Sequence, residues 1–184
     1  MSIFEYNIQS IDLNPILQYA YYLKDSEFGM VGKKSSVNGF QTNEMYDMDS
    51  IVKPLFNNIS DIVNTNCKEL ASNIKLNLGY YWININGNGS YNEKHHHMGN
   101  SANGKKQSIV SGVFYLSVPD GDSGNIVFAQ NNKESISIKP KTGDLLLFSP
   151  SLIHNVEINN TMEDRISIAF NFIKDSNFKI NNIF

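Results

Sequence analysis

The chain has 184 residues, 41% of them hydrophobic and 18% charged, with a formal net charge of −3. That length and composition predict one folded domain with a sizeable core, globular rather than disordered. The mild acidity excludes bulk attraction to nucleic acid or anionic lipid, and no apolar run reaches the length of a membrane span.

In chain order, Met1 to Asn7 has neither the basic start nor the apolar centre of a secretion signal, so a soluble cytoplasmic protein is expected. Asp12-Leu-Asn-Pro15 offers a helix cap followed by an early proline. Ile16, Leu17, Ala20, Tyr21 and Leu23 then form a helical face up to about Asp25. Gly32 to Met45 reads as loop with one short strand near Gly39-Phe-Gln-Thr42, and Lys33-Lys34 as solvated charge. A second helix is predicted from Asp49 or Ser50, with Ile51, Leu55, Ile59, Ile62, Val63, Leu70 and Ile74 at helical spacing. Cys67 is the only cysteine, so no intrachain disulfide can form, and it fits an apolar helix face better than a catalytic role.

From Leu76 the period changes to that of strands. Leu78–Ile85 is dense in aromatic and β-branched residues, and Asn86-Gly-Asn-Gly89 makes a turn. Further strand candidates are Tyr91–His97, Ile109–Val118, Gly124–Ala129, Ser135–Ile138, Asp144–Phe148, His154–Ile158 and Ile166–Ile173. Short strands at this spacing predict a mainly β jelly roll or barrel, with the two helices covering one outer face. One domain over 1–184 is expected, with a helical part over 1–75 and a jelly-roll core over 76–174.

The four histidines carry the chemistry. His95, His96 and His97 are consecutive, and His154 follows the strand Asp144–Phe148. Alternation along a strand would send His95 and His97 to one face and His96 to the other, leaving His96 a structural role. With His154 from a neighbouring strand, His95 and His97 would form a three-ligand site with open positions for substrate and oxygen. Arg165 is the single arginine, and its guanidinium could grip a carboxylate through two parallel hydrogen bonds. Ser167 shares its face. Trp82 and the tyrosines before it read as core.

The stretch from Trp82 to Phe172 resembles the double-stranded β-helix of the Fe(II)/2-oxoglutarate-dependent oxygenases, in particular a small bacterial and phage group of them. The matching pieces are Trp82-Ile-Asn84, Asn92-x-x-His95-x-His97-x-Gly99, Ser111–Leu116, Ser123–Phe128, Gly143–Pro150, His154-x-Val156 and Arg165–Asn171, with Asn38–Thr42 upstream. The prolyl-hydroxylase branch has a similar order of motifs. The resemblance implies that His95 and His154 are the two histidine ligands of Fe(II). His97 stands where most of the superfamily has an aspartate, and the small group has histidine there too. Arg165 and Ser167 match the pair that binds the far carboxylate of 2-oxoglutarate, and Tyr115 matches a prolyl-hydroxylase tyrosine that assists them.

The implied reaction takes O₂ and 2-oxoglutarate to succinate and CO₂ while hydroxylating a second substrate, a small molecule or a protein side chain. The acidic balance disfavours a nucleobase, and a homodimer is compatible with the sequence. If the chain is phage-encoded, the host cytoplasm is its expected place. Gly32–Met45 and Ser101–Gln107, which includes Lys105-Lys106, are expected to rim the opening. Three neutral imidazoles also suit zinc, copper or nickel. Two other classes stay open: a cupin-like three-histidine dioxygenase independent of 2-oxoglutarate, and a non-catalytic jelly-roll interaction module.

Overall fold

Period-2 patterning governs most of the chain after residue 75, and it produces two facing antiparallel sheets. The computed structural model describes residues 2–26, 35–66, 74–98, 107–130 and 134–175. Cys67, Leu70, Lys33-Lys34, Gly99 and the expected rim residues 32–34 and 101–106 lie outside the described residues. The elements are β1 (Ile3–Asn7), α1 (Asn14–Asp25), β2 (Ser36–Val37), β3 (Phe40–Gln41), α2 (Lys53–Asn66), β4 (Leu76–Asn86) and β5 (Tyr91–His95). They continue with β6 (Ser108–Ser117), β7 (Ile126–Phe128), β8 (Ile136–Ile138), β9 (Asp144–Phe148), β10 (His154–Val156) and β11 (Arg165–Lys174). The larger sheet runs β1-β9-β6-β11-β4-β3 and the smaller β2-β5-β10-β7-β8. This is the expected mainly β jelly roll.

The central strands β4, β6 and β11 are buried on both faces, and the two faces do different work. On one face Tyr81, Ile83, Ile85, Phe114, Ile168, Phe170 and Phe172 share a single buried cluster with residues of both helices. The helix residues are Ile16, Ala20 and Leu23 of α1, and Leu55, Phe56, Ile59 and Val63 of α2, each set recurring at helical spacing. The Phe56 ring centroid lies 4.9 Å from that of Tyr81 and 5.7 Å from that of Phe170. On the opposite face, Val113, Tyr115, Leu146 and Phe148 meet Ile126 and Phe128 of the smaller sheet. Polar residues on this inner face, Asn84, Ser111, Arg165, Ser167 and Asn171, are buried between the sheets.

Several local expectations change. β1 was not anticipated: it is a five-residue edge strand paired only with β9, and its side chains are at most half-buried. β2 was likewise not foreseen, being two residues long and paired with β5. α2 begins at Lys53, because the Asp49 carboxylate accepts the Ile51 N–H at 2.8 Å and holds a turn ahead of the helix. Ile51 is therefore exposed, and Val52 and Phe56 are buried instead. Asp12 accepts the Asn14 N–H at 3.0 Å from just outside α1, where Leu13 occupies the cap position itself. β5 stops at His95, since its partner β10 begins at His154 directly opposite and offers no further pairing. No helix among the described residues is long and apolar enough to cross a membrane.

Candidate active site

Cross-strand register brings the histidines together. His154 on β10 pairs directly with His95 on β5, which puts the two side chains side by side on the face turned to the larger sheet. His97 arrives differently from the strand-parity expectation. It lies beyond the end of β5, and its backbone N–H donates to the Pro150 carbonyl at 2.9 Å, which turns the ring back over the other two. The ring centroids of His95 and His154 are 4.3 Å apart, those of His97 and His154 4.9 Å, and those of His95 and His97 5.3 Å. One ligand nitrogen from each ring lies within 4.8 Å of the other two. His96 is exposed, and its Nδ1 accepts the Met98 N–H at 3.2 Å, away from this cluster.

The hydrogen bonds fix which nitrogens are free. His95 Nδ1 is 2.7 Å from the Glu93 carbonyl, and His154 Nδ1 is 2.8 Å from the Leu152 carbonyl. A carbonyl can only accept, so each Nδ1 carries the hydrogen and each Nε2 keeps its lone pair for a metal. Both nitrogens of His97 are buried without a hydrogen-bond partner among the described residues. A buried polar group left this way is costly unless something outside the protein satisfies it. Burial is also the main reason all three rings stay neutral. It pushes His154 down to about 4 and His97 well below the ordinary 6.5, with neighbouring imidazoles adding to the effect. His95 is lowered by the same cause, partly opposed by its bond to the Glu93 carbonyl. Three neutral imidazoles, two of them with Nε2 lone pairs left free by these bonds, are a donor set for a divalent transition metal.

Arg165 opens β11 and is 3% exposed. Its Nη1 donates to the backbone carbonyls of Ser123 and, at 3.1 Å, Gly124. No carboxylate among the described residues pairs with it. Desolvation lowers its pKa, and the nearby Tyr115 counteracts this in part. Burial raises the Tyr115 phenol, against the pull of the Arg165 charge. Ser167 lies in register between Tyr115 on β6 and Asn84 on β4. A buried guanidinium held only by neutral groups is electrostatically incomplete, and its chemistry suits an anion.

One interior cavity joins both features. It is lined by all six residues singled out from the sequence: His95, His97, Tyr115, His154, Arg165 and Ser167. The enclosed space measures about 40 Å³ and shares Ser35, Trp82, His95 and His97 with an outer cavity of about 430 Å³. Trp82 was read as core, yet it walls both cavities and meets His97 edge-on at 5.1 Å. Asn84 and Asn171 are further lining residues to which no role was assigned from the sequence. Their signal was present, since Asn171 shares the parity of Arg165 and Ser167 along β11.

The chain is similar to known proteins in both sequence and fold. The family described as "Putative 2OG-Fe(II) oxygenase" matches residues 80–171, half of the chain. No curated protein matches the chain. Among solved structures, a prolyl hydroxylase from Trichoplax adhaerens, in complex with a hypoxia inducible factor peptide fragment, superposes with a TM-score of 0.70 at 15% identity. That match covers 94% of this chain and 83% of the other. The viral collagen prolyl hydroxylase of Paramecium Bursaria Chlorella virus-1, solved with 2-oxoglutarate, gives 0.68 at 16% identity over 94% and 96% of the two chains. The α-ketoglutarate-dependent epimerase SnoN of nogalamycin biosynthesis gives 0.71 at 14% identity over 94% and 77%. At such identities the structural likeness speaks for the fold, while the match over 80–171 speaks for the family. This chain belongs to the 2OG-Fe(II) oxygenase family.

Proposed function

We propose that the protein is an Fe(II)- and 2-oxoglutarate-dependent hydroxylase, acting as one domain over 1–184. In this reading His95, His97 and His154 hold the metal, and Arg165, Ser167 and Tyr115 receive the far carboxylate of 2-oxoglutarate. The observation that carries it is the pairing, in one cavity, of three neutral imidazoles with an unpaired buried guanidinium. Either feature alone has other uses; together they suit a metal and a dianion side by side. The absence of a carboxylate ligand makes the dianion more important here, because three imidazoles leave the charge of a divalent ion unneutralised.

Iron and 2-oxoglutarate, when bound, supply the oxidation of a substrate C–H to C–OH by O₂, with release of succinate and CO₂. The chain's own residues position and insulate. The Glu93 and Leu152 carbonyls hold the Nδ1 hydrogens of His95 and His154, which aims both Nε2 lone pairs inward. Arg165 anchors a carboxylate at the far end of the cavity, and Phe148, Val113 and Ile126 keep water from the space between. Trp82 separates this inner space from the outer cavity, which is of the size that takes small ligands or a single side chain.

The test is anaerobic titration of metal-free protein with Fe(II), and in parallel with zinc, copper and nickel. About one equivalent should bind, and His154→Ala should lose it. Undiminished binding by that variant would overturn the ligand assignment. A parent protein that binds metal yet ignores 2-oxoglutarate would instead favour a three-histidine dioxygenase.

A further inference from the structure

His95 and His154 each have a backbone carbonyl that takes the Nδ1 hydrogen; His97 has none among the described residues. A neutral imidazole owns one N–H and one lone pair, so His97 can ligate only if its other nitrogen carries the hydrogen. That hydrogen is buried and needs an acceptor. The side chain placed to supply one is Asn171, which is 1% exposed and lines the outer cavity together with His97. Asn171 lies on β11 in register with Ser111 of β6. The Ser111 hydroxyl donates to Asn171 Oδ1, and Asn171 Nδ2 is left buried with no acceptor. Three polar atoms are therefore left without a partner among the described residues, the two His97 nitrogens and Asn171 Nδ2, while Asn171 Oδ1 is committed to Ser111.

A half-turn of the Asn171 carboxamide gives Nδ2 and both His97 nitrogens a role without changing its shape, and turns the Ser111 hydroxyl from donor to acceptor toward Asn171. Nδ2 then donates to Ser111 Oγ, Oδ1 accepts the His97 N–H, and the second His97 nitrogen presents its lone pair to the metal. In the arrangement described above, with Nδ2 toward the ring, donation from Asn171 would occupy the lone pair and leave an N–H facing the metal position.

We propose that Asn171, braced by Ser111, is a positioning residue that selects the tautomer of His97 and so decides whether His97 is a metal ligand. The inference rests on the metal reading above and deepens it. It predicts that an acceptor at position 171, and not merely a side chain of the right size, is what the site needs. Asn171→Asp offers acceptors to both Ser111 and His97 and should keep the parent's affinity. Asn171→Leu is similar in size without an acceptor and should weaken metal binding by about 10–100-fold, the range for loss of a hydrogen-bond partner behind a ligand.

The experiment is calorimetric titration of the metal-free parent, Asn171→Asp, Asn171→Leu, His97→Ala and the Asn171→Leu/His97→Ala double variant with Co(II), together with the visible Co(II) spectrum. The expected result is parent-like affinity and spectrum for Asn171→Asp, weakened binding with an altered spectrum for Asn171→Leu, and no further loss in the double variant over His97→Ala. Should Asn171→Leu not fold, the ring ¹⁵N shifts of the zinc-loaded parent decide the matter, with one His97 nitrogen protonated and the other metal-bound. Parent-like affinity for Asn171→Leu, or for His97→Ala, would overturn the proposal while leaving the His95 and His154 assignment intact. A parent that binds no cobalt at all would overturn both.

Discussion

Replacing Arg165 by methionine removes the charge while keeping most of the side chain's length. The guanidinium is 3% exposed, has no carboxylate partner among the described residues, and donates to the Ser123 and Gly124 carbonyls. Deleting one partner of a buried charge pair costs roughly 2–5 kcal/mol in binding. A loss of at least about 3 kcal/mol is expected here, or ~100-fold in the Kd for 2-oxoglutarate. Stability should move much less. Losing an unpaired buried cation relieves a desolvation penalty of several kcal/mol. Stranding two carbonyls costs about 1–3 kcal/mol each, which is comparable and opposite. The assay is calorimetric titration of 2-oxoglutarate into zinc-loaded protein, where no turnover occurs, alongside thermal melting of the metal-free forms. Arg165→Met with a Kd within threefold of the parent would refute the assignment of Arg165 as the carboxylate anchor. Collapse of the fold would refute the argument that this cation is there for a ligand.

Gly124 has φ +81°, and a Cβ there would lie 2.8 Å from Arg165 Nη1 and press on the Glu157 carbonyl. Gly124→Ala should therefore displace the guanidinium and weaken 2-oxoglutarate binding by tenfold or more, whereas Gly89→Ala, in a left-handed turn open to solvent, should cost stability but not affinity. The metal-free protein should also lose stability on mild acidification. Burial holds the His154 pKa at about 4 and lowers His95 and His97 too, while the unfolded chain titrates near 6.5. Below pH 6.5 the unfolded state takes up protons that the folded state refuses, so stability falls from there to about pH 4. For His154 alone the loss is on the order of 3 kcal/mol at the bottom of that window. Urea midpoints that do not change between pH 7 and 5 would contradict this.

The fold was legible where period and packing agree. β4, β6, β9 and β11 carry dense β-branched and aromatic runs because both of their faces are buried, so their bounds fall close to those read from the residues. β1 and β2 were not legible, since an edge strand or a two-residue pair buries too little to leave a pattern. The start of α2 was misplaced for a local reason: Asp49 caps a turn, and that turn shifts the buried face from Ile51 to Val52. At the site, the inner-face row of β11 could be read from Arg165 and Ser167 by alternation alone. The meeting of His95 with His97 could not be derived in the same way. Strand parity pointed to the right pair by the wrong route, since the chain leaves the sheet after His95 and the Pro150 carbonyl sets the position of His97. Trp82 was passed over because a buried aromatic residue in a strand looks the same whether its neighbours are leucines or a histidine cluster.

The most direct test of the account is succinate formation from 2-oxoglutarate under air, measured with iron-loaded parent, His154→Ala and Arg165→Met in the same preparation. Succinate is measured first with no added substrate and then with peptide and small-molecule candidates. Iron- and oxygen-dependent succinate is expected from the parent, none from His154→Ala, and a rate from Arg165→Met that is restored only at high 2-oxoglutarate. Iron-loaded parent that binds 2-oxoglutarate but releases no succinate, alone or with peptide and small-molecule candidates, would contradict the central claim.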